Sequence, residues 1–443
     1  MKTRTNTFAA LLFVVSVFLI SACSDGATGM ENGKGTVYIT VGGGGGSGNS
    51  RAVWLNASTQ STMYYDITLS GGPGGPHSLT GLASGQSADF TVQAGTWNVC
   101  IDGRDGSPSG LKRAEGKATI TVVANQTSNA QPVKMEPFLP NGDQTDLIYL
   151  INHADSGAEI RLPAGTISIG AVISITSNIT LTTQPGATVV LLRDWVGSPG
   201  MTAGLFYINT GGDLTLKVDS GGSLTLDGNK TAYPLADDPL IRMDGGIVNM
   251  EDGVSLINNQ RGYGAPGGAV TIAGGTFNMN GGTIHDNETP GGGGGRGAGV
   301  YVGSGGIFNM GGNAKIYNNI ADTNGGGVHI NGGTFKMEGS AKIYNNEGYT
   351  GGGIYVIPSA PTVVYPTISI LDSSTVYGNT SNNSTTGYDG AVYIDNGTFT
   401  LYAKTAITNN NTPGSGSNCN VTTTSTTFKM PDGTLYNPAD FNW

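Results

Sequence analysis

The sequence predicts an all-β protein in which a parallel β-helix, with three strands per rung, follows a small β-sandwich. The phrase that begins at Gly305 reads "GGIFNMGGNAKIYNNIADTNGGGVHI", and it returns almost unchanged from Gly332. Within each copy, apolar and polar residues alternate as they do in half-buried strands. Asparagine also recurs at one place in every copy. A short unit at nearly constant period indicates one structural layer stacked on copies of itself.

The N-terminus has the composition of a targeting segment. Lys2 and Arg4 precede an apolar run over 8–20, which is too short to span a bilayer. The run ends in "LISAC", which resembles the lipobox of bacterial lipoproteins, where the cysteine is acylated and becomes the first residue of the mature chain. The resemblance implies a signal peptide over 1–22, a lipid on Cys23 and a tether over 23–34. A plain signal peptide with an incidental cysteine is the alternative.

Residues 35–137 predict the β-sandwich. Short alternating strands separated by Gly, Pro and Ser clusters are typical of this fold. They are predicted at Thr36–Val41, Tyr64–Ser70, Asp89–Val92, Thr96–Asp102 and Lys117–Val123. Trp97, Val99 and Ile101 share one side of their strand and are expected in the core. The runs "AGTWNVCIDGRDG" and "GKATITVVANQT" resemble Ig-like or prealbumin-like modules of surface lipoproteins, which favours a spacer role.

The repeats occupy the last part of the predicted β-helix, 138–443. Copies begin at Gly245, Gly274, Gly305, Gly332, Tyr365, Asn396 and Ser425. The intervals between them are 29, 31, 27, 33, 31 and 29 residues. Each copy holds three strand-like runs, which is one rung of a three-sided coil. At this period the whole β-helix would have about ten rungs and a length of roughly 48 Å.

Apolar residues of equal parity predict the interior of the stack. In the first strand they include Val248, Phe277, Phe308 and Phe335, and in the third strand Val270 and its counterparts. Such a column buries little in one rung but forms a continuous core when rungs stack. Cys419 aligns with the column of the third strand, which predicts a buried thiol. Cys100 and Cys419 fall in different domains, so they do not indicate a disulfide framework.

Asparagine closes the second strand of successive rungs. The positions are Asn259, Asn287, Asn319, Asn346, Asn379 and Asn410. Identical amides stacked at about 4.8 Å can hydrogen-bond along the ladder. A preference for turns also suits asparagine, but it does not explain recurrence at one place in every rung. We therefore predict a structural amide ladder, followed by glycine corners of positive φ before the third strand.

Two resemblances add to this interpretation. The segment "DLIYLINHADSGAEIRLPAGTISIGAVISITSNITLTTQPGATVVLLR" resembles the opening coils of pectin-lyase-like right-handed parallel β-helices. The runs "GGAV" at Gly267 and "IYNN" at Ile316 are similar to the repeats of chlamydial polymorphic membrane proteins and spirochaete surface lipoproteins. The resemblance implies a right-handed parallel β-helix on a bacterial surface. It leaves the activity open, because this fold hosts lyases, hydrolases and adhesins.

The sequence offers little support for catalysis or for a cofactor. The G-H-G and R-x-K patterns of polygalacturonases are missing, and the four histidines lack metal spacing. Asp286, Glu288, Arg296 and Asp322 can approach one another on neighbouring rungs, although solvated turn residues are the better interpretation. A net charge of −10 without a basic stripe argues against nucleic acid. We expect no metal and no cofactor, and we assign no catalytic residue.

Tyrosines recur on the outward side of the second and third strands, and they are the candidate binding residues. They are Tyr301, Tyr317, Tyr344, Tyr355, Tyr377 and Tyr393. His285, His329 and Tyr436 continue the same columns. Rings in register can stabilise a sheet by stacking, or they can form a flat face for sugars or a protein.

Three functions remain open. The favoured one is a lipid-anchored protein of the bacterial outer membrane or cell surface that acts as an adhesin and binds a glycan or a host surface protein. Ser24 in the second mature position, where aspartate would retain many lipoproteins on the inner membrane, favours the outer membrane. A polysaccharide lyase or glycosidase is the second function, and a structural or antigenic coat protein is the third.

Overall fold

The computed structural model describes most of the chain. The described residues are 34–41, 61–128, 133–139, 142–197, 203–234, 236, 238–262, 266–290, 294–359, 364–383, 392–401, 407–408 and 410, with strand segments at 12–15, 51–52, 419–421 and 427–429. The chain divides into two compact units, 1–161 and 162–443. The structure is all-β apart from one described helix, as the sequence predicts.

Among the described residues, the first unit contains ten complete strands and the helix. They are β1 (Leu12–Val15), β2 (Lys34–Thr40), β3 (Arg51–Ala52), β4 (Tyr64–Ser70), β5 (His77–Ala83), β6 (Ser87–Gln93), β7 (Gly95–Arg104), β8 (Lys112–Val122), β9 (Thr127–Ser128), β10 (Val133–Pro137) and α1 (Gln144–His153). Strand β11 (Ala158–Leu162) contains the boundary between the units.

The strands of the first unit form a β-sandwich. One sheet has the order β3-β1-β10-β8-β7-β4-β5, and the other has the order β6-β2-β9. Trp97, Val99 and Ile101 are buried, as the alternation in β7 predicts. Strand β1 lies within the predicted leader and pairs with β10. All five predicted strands are present, and β1, β3, β5, β9 and β10 were not predicted.

Helix α1 is a difference from the prediction, which assigned its residues to the opening coil of the β-helix. Asp143 caps the helix, since its side chain accepts a hydrogen bond from the backbone of Asp146 at 3.1 Å. Asp146 also forms a buried ion pair with Arg113 at 2.6 Å, and Arg113 lies 4.1 Å from the ring centroid of Tyr149. The polar face of the helix is therefore tied to the sandwich. Grouped by contacts, residues 138–161 belong to the first unit.

The second unit is built from short parallel strands. They are β12 (Gly165–Ile169), β13 (Ile173–Ile175), β14 (Asn178–Thr183), β15 (Thr188–Arg193), β16 (Phe206–Ile208), β17 (Asp213–Leu216), β18 (Ser223–Asp227), β19 (Ile241–Met250), β20 (Val254–Ile257), β21 (Val270–Met279), β22 (Thr283–His285), β23 (Glu288–Thr289), β24 (Val300–Met310), β25 (Lys315–Tyr317), β26 (Ile320–Asn324), β27 (Val328–Asn331), β28 (Thr334–Met337), β29 (Lys342–Tyr344), β30 (Glu347–Thr350), β31 (Ile354–Ile357), β32 (Thr367–Ile370), β33 (Thr375–Tyr377), β34 (Thr380–Ser381), β35 (Val392–Ile394), β36 (Thr398–Leu401), β37 (Ile407–Thr408), β38 (Cys419–Val421) and β39 (Thr427–Lys429).

These strands form a parallel β-helix with three long faces. Sheet A contains the first strand of each rung, sheet B the second and sheet C the third. In β19, β21 and β24 the third strand of one rung continues, through an irregular corner, into the first strand of the next. A short sheet D, in the order β23-β26-β30-β34, lies along the chain between sheets B and C. The sequence analysis did not predict sheet D.

Each rung contributes one strand to sheet B, so the number of its strands gives the number of rungs. Its order is β12-β15-β18-β20-β22-β25-β29-β33-β37, which gives nine rungs among the described residues. Six of these strands, from β20 to β37, follow the start of the sequence repeat at Gly245, and β12, β15 and β18 precede it. The predicted value was about ten. Residues Gln144–His153 form α1 instead of part of an opening coil, so they add no rung.

The interior of the stack consists of the predicted columns. Val248, Phe277, Phe308 and Phe335 lie in register and have no exposed surface. The Phe277 and Phe308 rings are 5.5 Å apart between centroids, and Phe308 and Phe335 are 5.1 Å apart. Burying one such side chain contributes about 1.5–3 kcal/mol. Because each rung repeats the same apolar positions, the core is continuous along the axis.

Candidate functional site

The predicted asparagines stand one above another where the second strand of each rung ends. From Asn287 onward, each Nδ2 donates a hydrogen bond to Oδ1 of the asparagine in the next rung, at 3.0, 2.9, 2.9 and 3.1 Å. Each of these oxygens also accepts the backbone N–H of the asparagine one rung earlier, at 3.0 Å from Asn319 to Asn346. Asn287, Asn319 and Asn379 have no exposed surface. The ladder is thus an internal support and is not available to a ligand.

The ladder changes at its N-terminal end. Nδ2 of Asn259 donates to the carbonyls of Asp238 and Gly268, at 3.1 and 2.6 Å, instead of to Asn287. Nη2 of Arg193 donates to the same Asp238 carbonyl at 3.0 Å. Burial lowers the pKa of the Arg193 guanidinium to about 10, against the opposing charge of Asp238. A buried arginine therefore shares a carbonyl acceptor with the asparagine at which the amide column stops.

The residue before each ladder asparagine from Asn259 to Asn379 has a left-handed backbone. Asn258, Asp286, Asn318 and Asn345 have φ of 53°, 58°, 54° and 54°, and Gly378 has φ of 64°. Asparagine, aspartate and glycine tolerate this region better than other residues. In the pair "NN", therefore, the first residue turns the chain and the second enters the ladder. The sequence analysis recognised only the second role.

A column of rings runs along the outer side of sheet B. It contains His285, Tyr317, Tyr344 and Tyr377, whose neighbouring centroids are 4.5, 5.0 and 5.2 Å apart. Their interplanar angles are only 11°, 10° and 5°. The rings therefore cover one another's faces. Their edges and hydroxyl groups, rather than a flat aromatic surface, are what the column presents to solvent.

The phenols of Tyr317 and Tyr344 are neutral at physiological pH. Burial, followed by the charge of Asp286, raises the pKa of Tyr317 above its usual value. Burial, followed by Tyr317 and Tyr377, raises the pKa of Tyr344. Each neutral hydroxyl can both donate and accept a hydrogen bond. The column is therefore a row of hydrogen-bonding groups at the spacing of the rungs.

A second ring column lies on the outer side of sheet C, and part of it is covered. Tyr301, His329, Tyr355 and Tyr393 have neighbouring centroids 5.3, 5.0 and 4.9 Å apart. His329 is fully buried and Tyr393 is 3% exposed, contrary to the expectation of exposed rings. Burial and the charge of Arg296 lower the pKa of His329 to about 3, although the Asn324 backbone opposes the shift. The six candidate tyrosines thus lie on two sheets and do not form one site.

Two lysines accompany the ring column of sheet B. Lys315 and Lys342 lie directly opposite each other in adjacent strands, and each precedes a ring by two residues, so both point outward. Ile316 and Ile343, between the lysines and the rings, are fully buried. The sequence analysis missed these lysines. Their signal is the repeated "AKIYNN", in which lysine and tyrosine share one parity.

Sheet A carries an outward row of amides that the sequence analysis also missed. Asn309 donates to Asn278, and Asn278 to Asn249, at 2.9 Å each. Asn249 in turn donates to Thr215 at 3.3 Å. These side chains are half-buried and satisfy one another. The row stabilises the first strands and leaves few free donors for a ligand.

The carboxylates considered for catalysis are engaged locally. Asp286 bonds Nδ1 of His285 at 2.7 Å, and Glu288 forms an ion pair with Lys230 at 2.6 Å. Arg296 lies close enough to His329, on sheet C, for its charge to lower the pKa of that histidine. Among the described residues, neither these groups nor Asp322 belongs to a cluster of three or more possible metal ligands.

One cluster with metal-ligand atoms does occur, in the sandwich. Cys100, Asp102 and Glu115 place one such atom each within 4.8 Å of one another. Lys112 bonds Asp102 at 2.8 Å and Glu115 at 3.1 Å, and Lys117 bonds Glu115 at 3.1 Å, so both carboxylates already have lysine partners. Burial, then Asp102 and Glu115, raises the pKa of the Cys100 thiol. A protonated thiol is a poor metal ligand.

Several predicted positions lie outside the described residues. These are Cys23, the leader apart from Leu12–Val15, the tether apart from Lys34, the side chain of Cys419, and Tyr436. The described part of the chain contains no helix with the length and apolar character needed to cross a membrane. Comparison with protein-family models finds no match, and comparisons with curated proteins and with solved structures find none either.

Proposed function

We propose that this protein is a lipid-anchored adhesin of the bacterial surface, whose β-helix binds a glycan or a host surface protein along sheet B. The support is the outer face of sheet B, where side chains of one kind repeat from rung to rung. The internal ladder and the row on sheet A satisfy their own hydrogen bonds. The sheet B column, in contrast, presents edges and hydroxyls outward. This contrast is the observation that carries the proposal.

The anchor rests on Cys23 and the lipobox-like residues before it. Acyl chains supply the membrane affinity that the described part of the chain does not supply through a helix. Cys23→Ala is expected to move the protein from the detergent phase to the aqueous phase on phase partitioning, while Ser24→Ala leaves it in the detergent phase. Unchanged partitioning of Cys23→Ala would show that the cysteine is not lipidated.

Binding is tested with the full-length protein in detergent micelles on an array of bacterial and host glycans and on immobilised host surface proteins. We expect retention of at least one class of ligand, and loss of that retention in the double variant Tyr317→Ala/Tyr344→Ala. The matched control is Tyr207→Ala, which removes a solvent-facing tyrosine in an early coil. If the protein is retained neither by the glycan array nor by the immobilised host proteins, a structural or antigenic coat protein is favoured instead.

A further inference from the structure

Lys315 and Lys342 are placed where a sheet ordinarily avoids like charges. They are direct partners in the register of β25 and β29. Like charges opposite each other in adjacent strands destabilise a sheet. Neither ammonium group has an ion-pair or hydrogen-bond partner in the part of the chain that the structure describes. An uncompensated local cost of this kind is typical of functional sites.

Two carboxylates that follow strands of sheet B in the sequence have partners other than these lysines. Asp286 bonds His285 at 2.7 Å, and Glu347 accepts a hydrogen bond from Asn382 at 2.6 Å. Lys336, in the same rung as Lys342 but on sheet A, has its own partner in Glu338 at 2.6 Å. The contrast within one rung shows that a lysine on this stack can be paired. The ammonium groups of Lys315 and Lys342 are therefore available to pair with an anionic group of a ligand.

Further hydrogen-bonding groups flank the lysines. The hydroxyls of Tyr317 and Tyr344 follow on one side, at ring spacings of 5.0 Å. Beyond them, Asn318 and Asn345 occupy left-handed corners and are exposed. Successive rungs thus repeat the order ammonium, phenol, amide across the face. This set combines cationic groups for an anion with neutral groups for hydroxyls.

From this arrangement we infer that sheet B binds an anionic polysaccharide, which lies along the stack with its carboxylate or sulfate groups against Lys315 and Lys342. The inference rests on the proposed function and narrows its ligand. The faces of the rings are covered, so the sugar is held edge-on by hydroxyls and amides and does not stack on the tyrosines. A polymer fits better than a monosaccharide, because the same groups recur in adjacent rungs.

The test is a binding measurement with the full-length protein in detergent micelles. Hyaluronate supplies carboxylates, dextran sulfate supplies sulfates, and unmodified dextran is the neutral probe. We expect binding to at least one anionic polymer and a loss of affinity of about tenfold or more in Lys315→Gln/Lys342→Gln. The salt dependence of the affinity should also flatten. Lys336→Gln, the matched control in the same rung, should bind as the unaltered protein does.

The outcomes separate the inference from the proposed function. Equal losses in Lys336→Gln and in the double variant would overturn the inference, since the effect would then follow net charge and not the site. Equal binding of neutral and anionic polymers, unaffected by the lysines, would overturn the inference but leave the glycan adhesin standing. If the unaltered protein, the double lysine variant and Lys336→Gln all fail to retain any glycan or host protein, the inference and the proposed function are both overturned.

Discussion

Removing one amide from the middle of the ladder should destabilise the β-helix locally. Asn319 donates through Nδ2 to Asn346 Oδ1, Ile284 O and Tyr317 O at 2.9, 3.1 and 3.0 Å. Its Oδ1 accepts from the backbone N–H and the Nδ2 of Asn287, at 3.2 and 3.0 Å. In Asn319→Ala all five hydrogen bonds are lost.

The expected magnitude follows from which groups keep a partner. Nδ2 of Asn287 retains the carbonyls of Leu256 and His285, but its backbone N–H loses the oxygen that it bonds. Water does not reach it, since Asn287 has no exposed surface. A buried donor without a partner costs about 1–3 kcal/mol, so we expect about 3 kcal/mol for the whole change. Asn410→Ala should cost about 1 kcal/mol, because Asn410 is half-exposed and water can replace it.

Native-state hydrogen exchange is the suitable assay, because a repeat array need not unfold in two states. The backbone amide of Asn287 should lose protection in Asn319→Ala. Asn318→Gly is the matched control: Asn318 is exposed and has φ of 54°, which glycine adopts without strain. Equal loss of protection in Asn319→Ala and in Asn318→Gly, or no loss in either, would refute the structural role of the ladder.

Two further predictions concern buried titratable side chains. The pKa of His329 is about 3 in the folded protein, below the usual value, so the unfolded chain binds the proton first as the pH falls. Stability should therefore decrease from about pH 6.5 towards pH 3, by at most about 1.4 kcal/mol per pH unit from this group. His329→Phe should remove that part of the slope in urea unfolding at pH 7 and pH 5, and an unchanged slope would contradict the assignment. Asp146→Ala breaks a buried ion pair with Arg113 and should destabilise the first unit by about 3 kcal/mol. Faster hydrogen exchange in β7 and β8, without change in β25 and β29, would support this prediction, and unchanged exchange in both would contradict it.

The fold of the repeats could be predicted because strand parity and period together determine it. Phe277, Phe308 and Phe335 share one parity at nearly constant spacing, and stacking is the arrangement that buries all of them. Helix α1 could not be distinguished in this way. Its apolar run "LIYLI" is short, and such a run suits a strand or a helix equally well. The capping residue Asp143, which precedes this run, is the signal in the sequence that favours the helix.

The candidate site was predicted only in outline. Parity placed Tyr317 and Tyr344 outside, but it does not give the tilt of a ring, so the covered faces could not be anticipated. Nor does parity show what packs against an outward residue, which is why the burial of His329 and Tyr393 was missed. The sequence does not mark Lys315 as a candidate binding residue, because a single outward lysine is common in strands. Its significance comes from the partner across the ladder.

The regular register has a consequence for the history of the chain. Phe277 pairs with Phe308, and Phe308 with Phe335, at equivalent positions. Excision of residues 305–331 would bring Phe277 against Phe335 and join Ser304 to Gly332, which recreates the "GSGG" corner already present at 303–306. The stack would become shorter by about 4.8 Å with every column still continuous. Recombination between near-identical copies can therefore lengthen or shorten this protein in whole rungs, so its length can evolve independently of its core.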